Sequence, residues 1–318
     1  MIDFIKIEIP NTKVYEEKLL NSEYLNFNQT VNINGGEINS YPIKSRFENL
    51  EVKITKTKVE ISGSLHKLYN ILNNRGEQNY DSFNHSQIRE IVSFVMSIFY
   101  LDEFEHKITN LEFGFNIEIT EAAEKIIDNR VLLFDYKEHS RRNEFMGKGF
   151  LKEFTSTDYQ VKVYDKSKQF DLKNRCIMRI EVRLNRSRLL NKYGVHSIRN
   201  ILNIDVLKEL YRFYISNILK LNIIDYNAYT GLNDKDKERL DKFTNPNTWK
   251  RYKEEGYSAK KIRIRKRKFE SFLLKEGLLK TKGFIIRQLD IEYSTLINTD
   301  RLGLSHIRHM ENRTYSCK

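Results

Sequence analysis

The sequence predicts an α+β protein with a largely antiparallel sheet and flanking helices, followed by a mostly helical, basic C-terminal domain. Apolar and polar residues alternate in several segments of the first half, which is typical of strands with one buried face. After about residue 204 the spacing of the apolar residues becomes helical. Glycine (13 residues) and proline (3 residues) are sparse, so we expect long elements with few tight turns. We therefore place an α/β domain over residues 1–205 and a helical domain over residues 206–318.

The individual elements follow from the same periodicities. The opening segment "MIDFIKIEIP" alternates like a strand, and "DVLKELYRFYISNILKLNII" has the apolar spacing of a long amphipathic helix. In chain order we predict strands within 1–62, helices over 64–73 and 86–100, strands near 107–119, 160–166 and 176–185, and helices from 205 to about 280.

Composition restricts the classes of function. No apolar run approaches the roughly 20 residues that span a bilayer, and the charges of Asp3, Lys6 and Glu8 interrupt any signal-peptide core. Cys176 and Cys317 are the only cysteines, so a disulfide scaffold is not expected and a reducing cytoplasm fits. The net charge of +12 favours a polyanionic partner, with nucleic acid as the first choice and no membrane partner.

The predicted strands carry an unusual mixture of acids and bases on their polar faces. In "YQVKVYDKSKQF", Val161 and Val163 face one way, while Lys162, Tyr164 and Lys166 face the other. A plain solvent-facing sheet surface is the simpler interpretation of each strand taken alone. The polar faces of the other strands carry Lys58, Glu60 and Ser62; Asn110, Glu112, Gly114, Asn116 and Glu118; and Arg179, Glu181 and Arg183. Gly114 next to Glu112 on one face predicts room for a close approach.

These residue types suit cleavage of a phosphodiester by a tyrosine. A phenol has a pKa of about 10, so positive charge nearby would be needed for it to act as a phenolate near neutral pH. Carboxylates and an imidazole can hold a hard divalent cation that polarises the phosphate. Lysines can neutralise the charge that develops on the phosphate in the transition state.

The order of several segments resembles the replication initiators of filamentous phages, the gene II/X family of phage and plasmid replication proteins. The matching segments are "MIDFIKIEIP", "VEISGSLHKLYNILNN", "ITNLEFGFNIEI", "VKVYDKSKQF", "IMRIEVRLNRSRLLNKYGV" and "WKRYKEEGYSAKKIRIRKRKFESFLLKEGLLK". The resemblance implies a rolling-circle initiator with a relaxase-like or HUH-like nickase fold, in permuted or unpermuted order. Such an enzyme nicks one strand of a double-stranded origin, leaves a 3′-OH for a host polymerase, and later rejoins the displaced strand.

The resemblance also implies the roles of particular residues. Tyr164 would be the nucleophile and Lys166 would assist phosphate binding, while Glu112, Glu181 and Glu60 would be ligands of Mg²⁺ or Mn²⁺. The sequence departs from many rolling-circle nickases because it contains no His-x-His pair. His66 in "SLHK" could supply one imidazole ligand. A lone histidine is more often a surface or turn residue than a ligand.

The segment "SAKKIRIRKRK" carries seven basic residues and no acid. On a helix these side chains would surround most of the axis, which does not suit a helix packed in a core. A solvated basic helix and a DNA-binding helix both fit, and the nearby aromatic residues could stack on bases or pack the helices together. The basic residues interpreted as DNA contacts are Lys162, Arg179, Arg183, Lys260, Lys261, Arg263, Arg265, Lys266, Arg267 and Lys268.

Other functions remain open from the sequence. The spacing of His196 and Arg199, with Tyr226 and Tyr229 downstream, would suit a tyrosine recombinase, although the strand-rich first half fits poorly. A non-catalytic origin- or operator-binding protein would explain the charge without using Tyr164. A conjugative relaxase is chemically close to the nickase. No Gly-x-x-x-x-Gly-Lys-Ser/Thr loop is present, so unwinding would require a host helicase. The sequence leaves the oligomeric state undetermined.

Overall fold

The computed structural model describes residues 1–29, 40–140 and 151–298. Cys317 and the rest of 299–318, which end the predicted second domain, lie outside these ranges. The described residues form an eight-stranded sheet, a two-stranded sheet, eleven α-helices and two short 3₁₀-helices, Ile198–Leu202 and Tyr226–Gly231. The strands are β1 (Ile2–Pro10), β2 (Ile43–Phe47), β3 (Leu50–Ile54), β4 (Lys58–Ser64), β5 (Lys107–Glu118), β6 (Val131–Phe134), β7 (Leu151–Thr155), β8 (Tyr159–Asp165), β9 (Ile177–Leu184) and β10 (Leu221–Ile223). The helices are α1 (Lys13–Leu20), α2 (Leu65–Leu72), α3 (His85–Ile98), α4 (Ala123–Asn129), α5 (Lys166–Gln169), α6 (Ser187–Lys192), α7 (Ile204–Ile218), α8 (Asp234–Thr244), α9 (Pro246–Glu254), α10 (Ala259–Lys275) and α11 (Lys280–Asn298).

The large sheet has the strand order β2-β3-β4-β1-β5-β9-β8-β7, and every neighbouring pair is antiparallel. The predicted α+β class with a largely antiparallel sheet is therefore confirmed. The relaxase-like or HUH-like arrangement stays a prediction. No helix among the described residues has the length and apolar character needed to cross a membrane.

The apolar face of the sheet is covered by helices that come from the second half of the chain. Phe115 on β5 is 1% exposed, and its ring lies 5.3 Å from that of Tyr214 on α7 and 6.3 Å from that of Tyr293 on α11. The hydroxyl of Tyr214 donates to the carbonyl oxygen of Ile180 on β9 at 3.0 Å. The polar face is thereby directed away from α7 and α11, because successive side chains of a strand alternate between faces.

Several element boundaries differ from the prediction. The helix predicted to run through "KLNII" ends at Ile218, and Leu221–Ile223 instead forms β10, which pairs with β6. Tertiary pairing decides this change, because a short apolar run suits a buried strand as well as a helix. Within the region predicted to hold only strands, Lys13–Leu20 forms α1, which Thr12 caps by accepting from the Tyr15 amide at 3.2 Å.

The buried apolar residues form two hydrophobic cores, and the division between these cores does not coincide with residue 205. Helices α7 and α11 contribute Leu210 and Leu289 to the core of the large sheet. A second cluster includes Trp249, Phe269 and, from the β6–β7 region, Tyr136. The division at residues 205 and 206 stays a prediction about domains, although in the packing α7 belongs with the sheet.

We expect Phe115→Ala to destabilise the protein by about 3–5 kcal/mol, because it leaves a cavity between the sheet and both covering helices. Ile291→Ala on α11, where the side chain is 50% exposed, should change the free energy of unfolding by no more than about 0.5 kcal/mol. Chemical denaturation followed by circular dichroism measures both. Equal effects of the two substitutions would contradict this packing.

Candidate functional site

The candidate site lies on the polar face where β1, β5, β9 and β8 are adjacent. The strand register places Gly114 opposite Glu181, and Lys162 opposite Glu181 on its other side. One oxygen from each of Asp3, Glu112 and Glu181 lies within 4.8 Å of the others. We call these three residues the acid cluster.

Two basic side chains hold the acid cluster together. The Lys162 ammonium lies 2.9 Å from Glu112 Oε1 and 3.1 Å from Glu181 Oε1. The Arg179 guanidinium donates to Glu181 Oε2 at 2.7 Å and to Asp3 Oδ2 at 3.0 Å. Its third link reaches Asn116 Oδ1 at 3.1 Å. Arg179 is 2% exposed and all three of its guanidinium nitrogens donate in these contacts, so it positions carboxylates instead of presenting a cation to solvent.

Asp3 is the acid that the sequence analysis missed. Strict alternation would place it on the same face as Ile5, Ile7 and Ile9, which are buried in the core. A β-bulge between Ile2 and Ile5 breaks this alternation and turns Asp3 to the polar face. No local sequence signal marks this bulge.

The surroundings of Asp3 keep its carboxylate charged. Ser64 Oγ donates to Asp3 Oδ1, and Asn79 Nδ2 donates to Oδ2 at 2.6 Å. Burial alone would raise the pKa of Asp3, but the charges of Arg179, Lys166 and His66 together outweigh burial and hold the pKa well below its usual range. Beside it, Asn79 Oδ1 is buried and has no hydrogen-bond partner among the described residues.

The environment of Tyr164 differs from the expectation of a cation-activated phenol. Its hydroxyl donates to Glu181 Oε2 at 3.2 Å. Burial and the negative charge of Glu181 raise the pKa of Tyr164 well above 10, despite the opposing effect of Arg179. The expected lowering of this pKa by flanking lysines is therefore wrong for the free protein, because the Lys162 ammonium is paired with carboxylates instead.

The two glutamates of the acid cluster have opposite pKa shifts. Burial and the neighbouring Glu181 raise the pKa of Glu112 to about 7, although Lys162 opposes this shift. Burial would also raise the pKa of Glu181, but Lys162 and Arg179 together lower it below its ordinary value. Glu181 is thus a charged acceptor, while Glu112 can carry a proton near neutral pH.

Lys166 is the most buried cation at the site. It is 1% exposed and begins α5, so it does not continue the strand as predicted. Its ammonium lies 5.3 Å from the centre of the Tyr164 ring and 5.0 Å from that of Phe170. Among the described residues, no carboxylate lies within 4.0 Å of this ammonium. Burial and the charge of Arg179 lower the pKa of Lys166 to about 7.

Two of the predicted metal ligands lie outside the acid cluster. Glu60 forms ion pairs with Lys6 at 2.8 Å and with Lys58 at 2.7 Å. His66 is buried, stacks on Phe83, and its Nε2 lies 2.7 Å from Asp81 Oδ1. Burial lowers the pKa of His66 although Asp81 opposes this shift.

The predicted DNA contacts fall into a buried and an exposed group. Lys162 and Arg179 form ion pairs with the acid cluster, and Arg183 lies at the rim of the cluster, where its Nη1 is 3.6 Å from Glu112 Oε1. On α10, Arg265 lies over the rings of Tyr252 and Tyr257, and Lys266 pairs with Asp135 at 2.7 Å. The predicted contacts that are exposed on α10 are Lys260, Lys261, Arg263, Arg267 and Lys268.

The expectation that α10 could not pack in a core is wrong. Ile262, Phe269, Phe272 and Leu273 form a narrow buried stripe along this helix, and the basic side chains occupy the remaining surface. Trp249 on α9 is 4% exposed and belongs to the same hydrophobic cluster. Of the two uses considered for the nearby aromatic residues, packing of the helices is the one that the structure shows.

The residues that suggested a recombinase are used elsewhere. Arg199 pairs with Asp102, and the hydroxyls of Tyr226 and Tyr229 donate to Thr244 Oγ1 and Asp241 Oδ2 on α8. None of these side chains belongs to the acid cluster.

Gly114 allows β5 and β9 to approach at the acid cluster. A Cβ atom on Gly114 would lie 2.5 Å from Glu181 Cβ and 2.6 Å from the Ile180 carbonyl oxygen. The space that the sequence suggested for an approaching ligand is therefore taken by β9. We expect Gly114→Ala to cost about 1–3 kcal/mol of stability, as overpacking does.

The matched control for this substitution is Gly283→Ala on α11, where an added Cβ meets no atom within 4 Å. It should stabilise the protein by up to about 1 kcal/mol, because alanine favours helices. Thermal unfolding compares the two variants, and a neutral Gly114→Ala would contradict the tight approach.

The raised pKa of Glu112 predicts that the stability of the protein depends on pH when metal ions have been removed by a chelator. Its folded-state pKa of about 7 exceeds its ordinary value of 4.5, so the folded state binds more protons between these values and loses stability as pH rises. Glu112→Gln removes this loss. The stability of the variant relative to wild type should therefore be greater near pH 8 than near pH 5, as measured by urea denaturation.

Glu60→Gln provides a control, because the pKa of Glu60 is shifted in the direction opposite to that of Glu112. Burial would raise the pKa of Glu60, but Lys58 and Lys6 lower it, so its stabilising effect is present above the ordinary carboxyl pKa and lost in acid. Its substitution should cost a similar amount near both pH values. A Glu112→Gln effect that is equally independent of pH would show that this carboxyl is not protonated in the folded state.

Comparisons with known proteins place this chain in no family. No protein-family model matches it, and no curated protein matches it. The solved structure of a rolling circle replication initiator protein from Geobacillus stearothermophilus matches 59% of this chain and 75% of its own length, with 14% sequence identity and a TM-score of 0.35. This likeness is weak, and no conclusion about the fold or activity of this chain rests on it.

Proposed function

We propose that this protein is a site-specific DNA nickase and strand transferase that initiates rolling-circle replication. The observation that carries the proposal is the hydrogen bond from Tyr164 to Glu181 within a cluster of three carboxylates, next to a buried lysine. The order of segments that resembles phage replication initiators supports the same activity.

Asp3, Glu112 and Glu181 are the proposed ligands of Mg²⁺ or Mn²⁺. Their oxygens are hard donors, and the position of the Lys162 ammonium between two of them supports a cation site there. The unpartnered Asn79 Oδ1 offers a further oxygen beside Asp3. When bound, the metal ion would polarise the scissile phosphate and offset its charge. Glu60 and His66 are not among the proposed ligands, because they lie outside the cluster.

Tyr164 is the proposed nucleophile. Its Oη would form a bond to phosphorus as the bond from phosphorus to the 3′-oxygen breaks, giving a 5′-phosphotyrosine and a free 3′-OH. The phenolic proton would pass to Glu181 Oε2, which already accepts its hydrogen bond. Because the pKa of the phenol is raised, proton transfer to Glu181 has to accompany attack.

The departing 3′-oxygen needs a proton, which water at the site can supply. Glu112 carries a proton near neutral pH in the metal-free protein, and it would release that proton to solvent on becoming a metal ligand. Rejoining would reverse both transfers, with the 3′-OH attacking the phosphotyrosine and Tyr164 recovering its proton.

Lys166 is the proposed phosphate contact. A buried ammonium without an anionic partner is costly, and a phosphate group would supply the missing negative charge. The position of the ammonium against the face of the Tyr164 ring places it next to the nucleophile. It would therefore stabilise the charge that develops on the phosphate during attack.

Binding of the origin duplex is assigned to the exposed cations of α10. Lys260, Lys261, Arg263, Arg267 and Lys268 present positive charge, and the first acid on the helix is Glu270. A host helicase and a host polymerase are the proposed partners, as the family resemblance implies. A non-catalytic DNA-binding protein could use the same helix, but it would have no use for Tyr164 and its acids.

Tyr164→Phe should abolish formation of a covalent protein–DNA adduct, because it removes the attacking oxygen and retains the ring. The protein is incubated with Mn²⁺ and supercoiled DNA of its replicon, and both nicking and a nucleotide adduct on the Tyr164 peptide are measured, the latter by mass spectrometry. EDTA should stop the wild-type reaction.

Tyr159→Phe is the matched control, since Tyr159 lies on the same strand and its ring packs against that of Phe213 at 5.4 Å. It should nick DNA as wild type does. If Tyr164→Phe nicks normally, or if wild-type protein binds DNA but never cleaves it, the proposed nucleophile or the proposed activity is refuted.

A further inference from the structure

The Lys162 ammonium occupies the position between the carboxylates of Glu112 and Glu181. It lies 2.9 Å from one and 3.1 Å from the other, and these are two of the three proposed metal ligands. The lysine side chain is 16% exposed, whereas the Glu181 side chain is 3% exposed. A positive charge that the chain itself supplies therefore pairs with the oxygens that a metal ion would need.

The Lys162 ammonium and a divalent metal ion cannot both bind these carboxylate oxygens closely. Like charges a few ångströms apart repel strongly in a partly buried site, so binding of a divalent ion has to displace the ammonium. Displacement breaks the ion pairs of Lys162 with Glu112 and Glu181, and this cost makes the free energy of metal binding less favourable. The lysine and the metal ion thus compete for Glu112 and Glu181.

Arg179 cannot be the cation that a metal ion displaces. Its guanidinium is 2% exposed and is held by Asp3, Asn116 and Glu181 from three different strands. Lys162 has a flexible stem, partial access to solvent and contacts to the acid cluster through its ammonium alone. Lys162 is therefore the cation that can leave.

We propose, on the basis of the metal site proposed above, that Lys162 is a displaceable internal counter-ion. In the absence of metal it keeps two buried carboxylates paired, and on metal binding it swings out of the acid cluster. Lys162 and Tyr164 occupy the same face of β8, so the released ammonium becomes available to a phosphate oxygen beside the nucleophile. The consequence is a weakened affinity for metal in the DNA-free protein.

The test is titration of Mn²⁺ into the full chain without DNA, followed by calorimetry. Lys162→Met removes the charge and keeps most of the length, and it should bind Mn²⁺ about tenfold more tightly, as expected for removal of a coupled competitor. Lys58→Met is the matched control, because Lys58 also bridges two strand glutamates, Glu8 at 3.1 Å and Glu60 at 2.7 Å, outside the acid cluster. It should bind Mn²⁺ as wild type does.

The outcomes separate this inference from the proposed metal site. Mn²⁺ binding by wild type with equal or weaker binding by folded Lys162→Met overturns the counter-ion role and leaves the metal site standing. No binding by either protein overturns both. Tighter binding by Lys58→Met instead would move the metal site to Glu8 and Glu60 and refute both.

A second measurement uses the wild-type protein, so that it does not depend on the folding of a variant. Lysine acetylation by acetic anhydride is followed by peptide mass spectrometry with and without saturating Mn²⁺. Displacement should raise the acetylation rate of Lys162 several-fold and leave that of Lys58 unchanged. A Lys162 rate that stays constant or falls when Mn²⁺ binds overturns the proposal.

Discussion

The candidate site depends on the buried guanidinium of Arg179. It joins the start of β1, the end of β5 and the middle of β9 through Asp3, Asn116 and Glu181. A guanidinium is suited to this because its donors lie in one plane and point in fixed directions. Removal of one partner from such a buried group leaves an uncompensated charge, which is strongly destabilising. Arg179 therefore determines where the carboxylates of the acid cluster lie relative to one another.

The charges around Arg179 produce different properties in chemically similar groups. Glu181 is paired with both Arg179 and Lys162 and remains charged. Burial and the charge of Glu181 raise the pKa of Glu112, although Glu112 lies 2.9 Å from Lys162 and 3.6 Å from Arg183. Tyr164 donates to the charged acid and therefore stays neutral in the free protein. A neutral phenol hydrogen-bonded to a carboxylate is ready for coupled proton transfer, which is a different mode of activation from the phenolate suggested by its flanking lysines.

Regular alternation was enough to place four of the candidate residues on one face of the sheet. Glu112, Glu181, Lys162 and Tyr164 lie on the polar faces of unbroken stretches of β5, β9 and β8, so the period of two was sufficient to place them on one surface. Asp3 was missed because a bulge interrupts its strand. Glu60 was placed on the correct sheet, but no pattern within its own strand indicates how far it lies from the acid cluster.

The sequence by itself determined the antiparallel α+β class, the strands that carry the polar face and the basic character of α10, because these follow from local periodicity and charge. The tertiary structure decided the strand order, the inclusion of Asp3, the burial of Lys166 and the pairing of Lys162 with two acids. It also decided that α7 and α11 cover the sheet. These features depend on contacts between residues far apart in the chain, and on the balance between burial and neighbouring charge at each group, which no local pattern encodes.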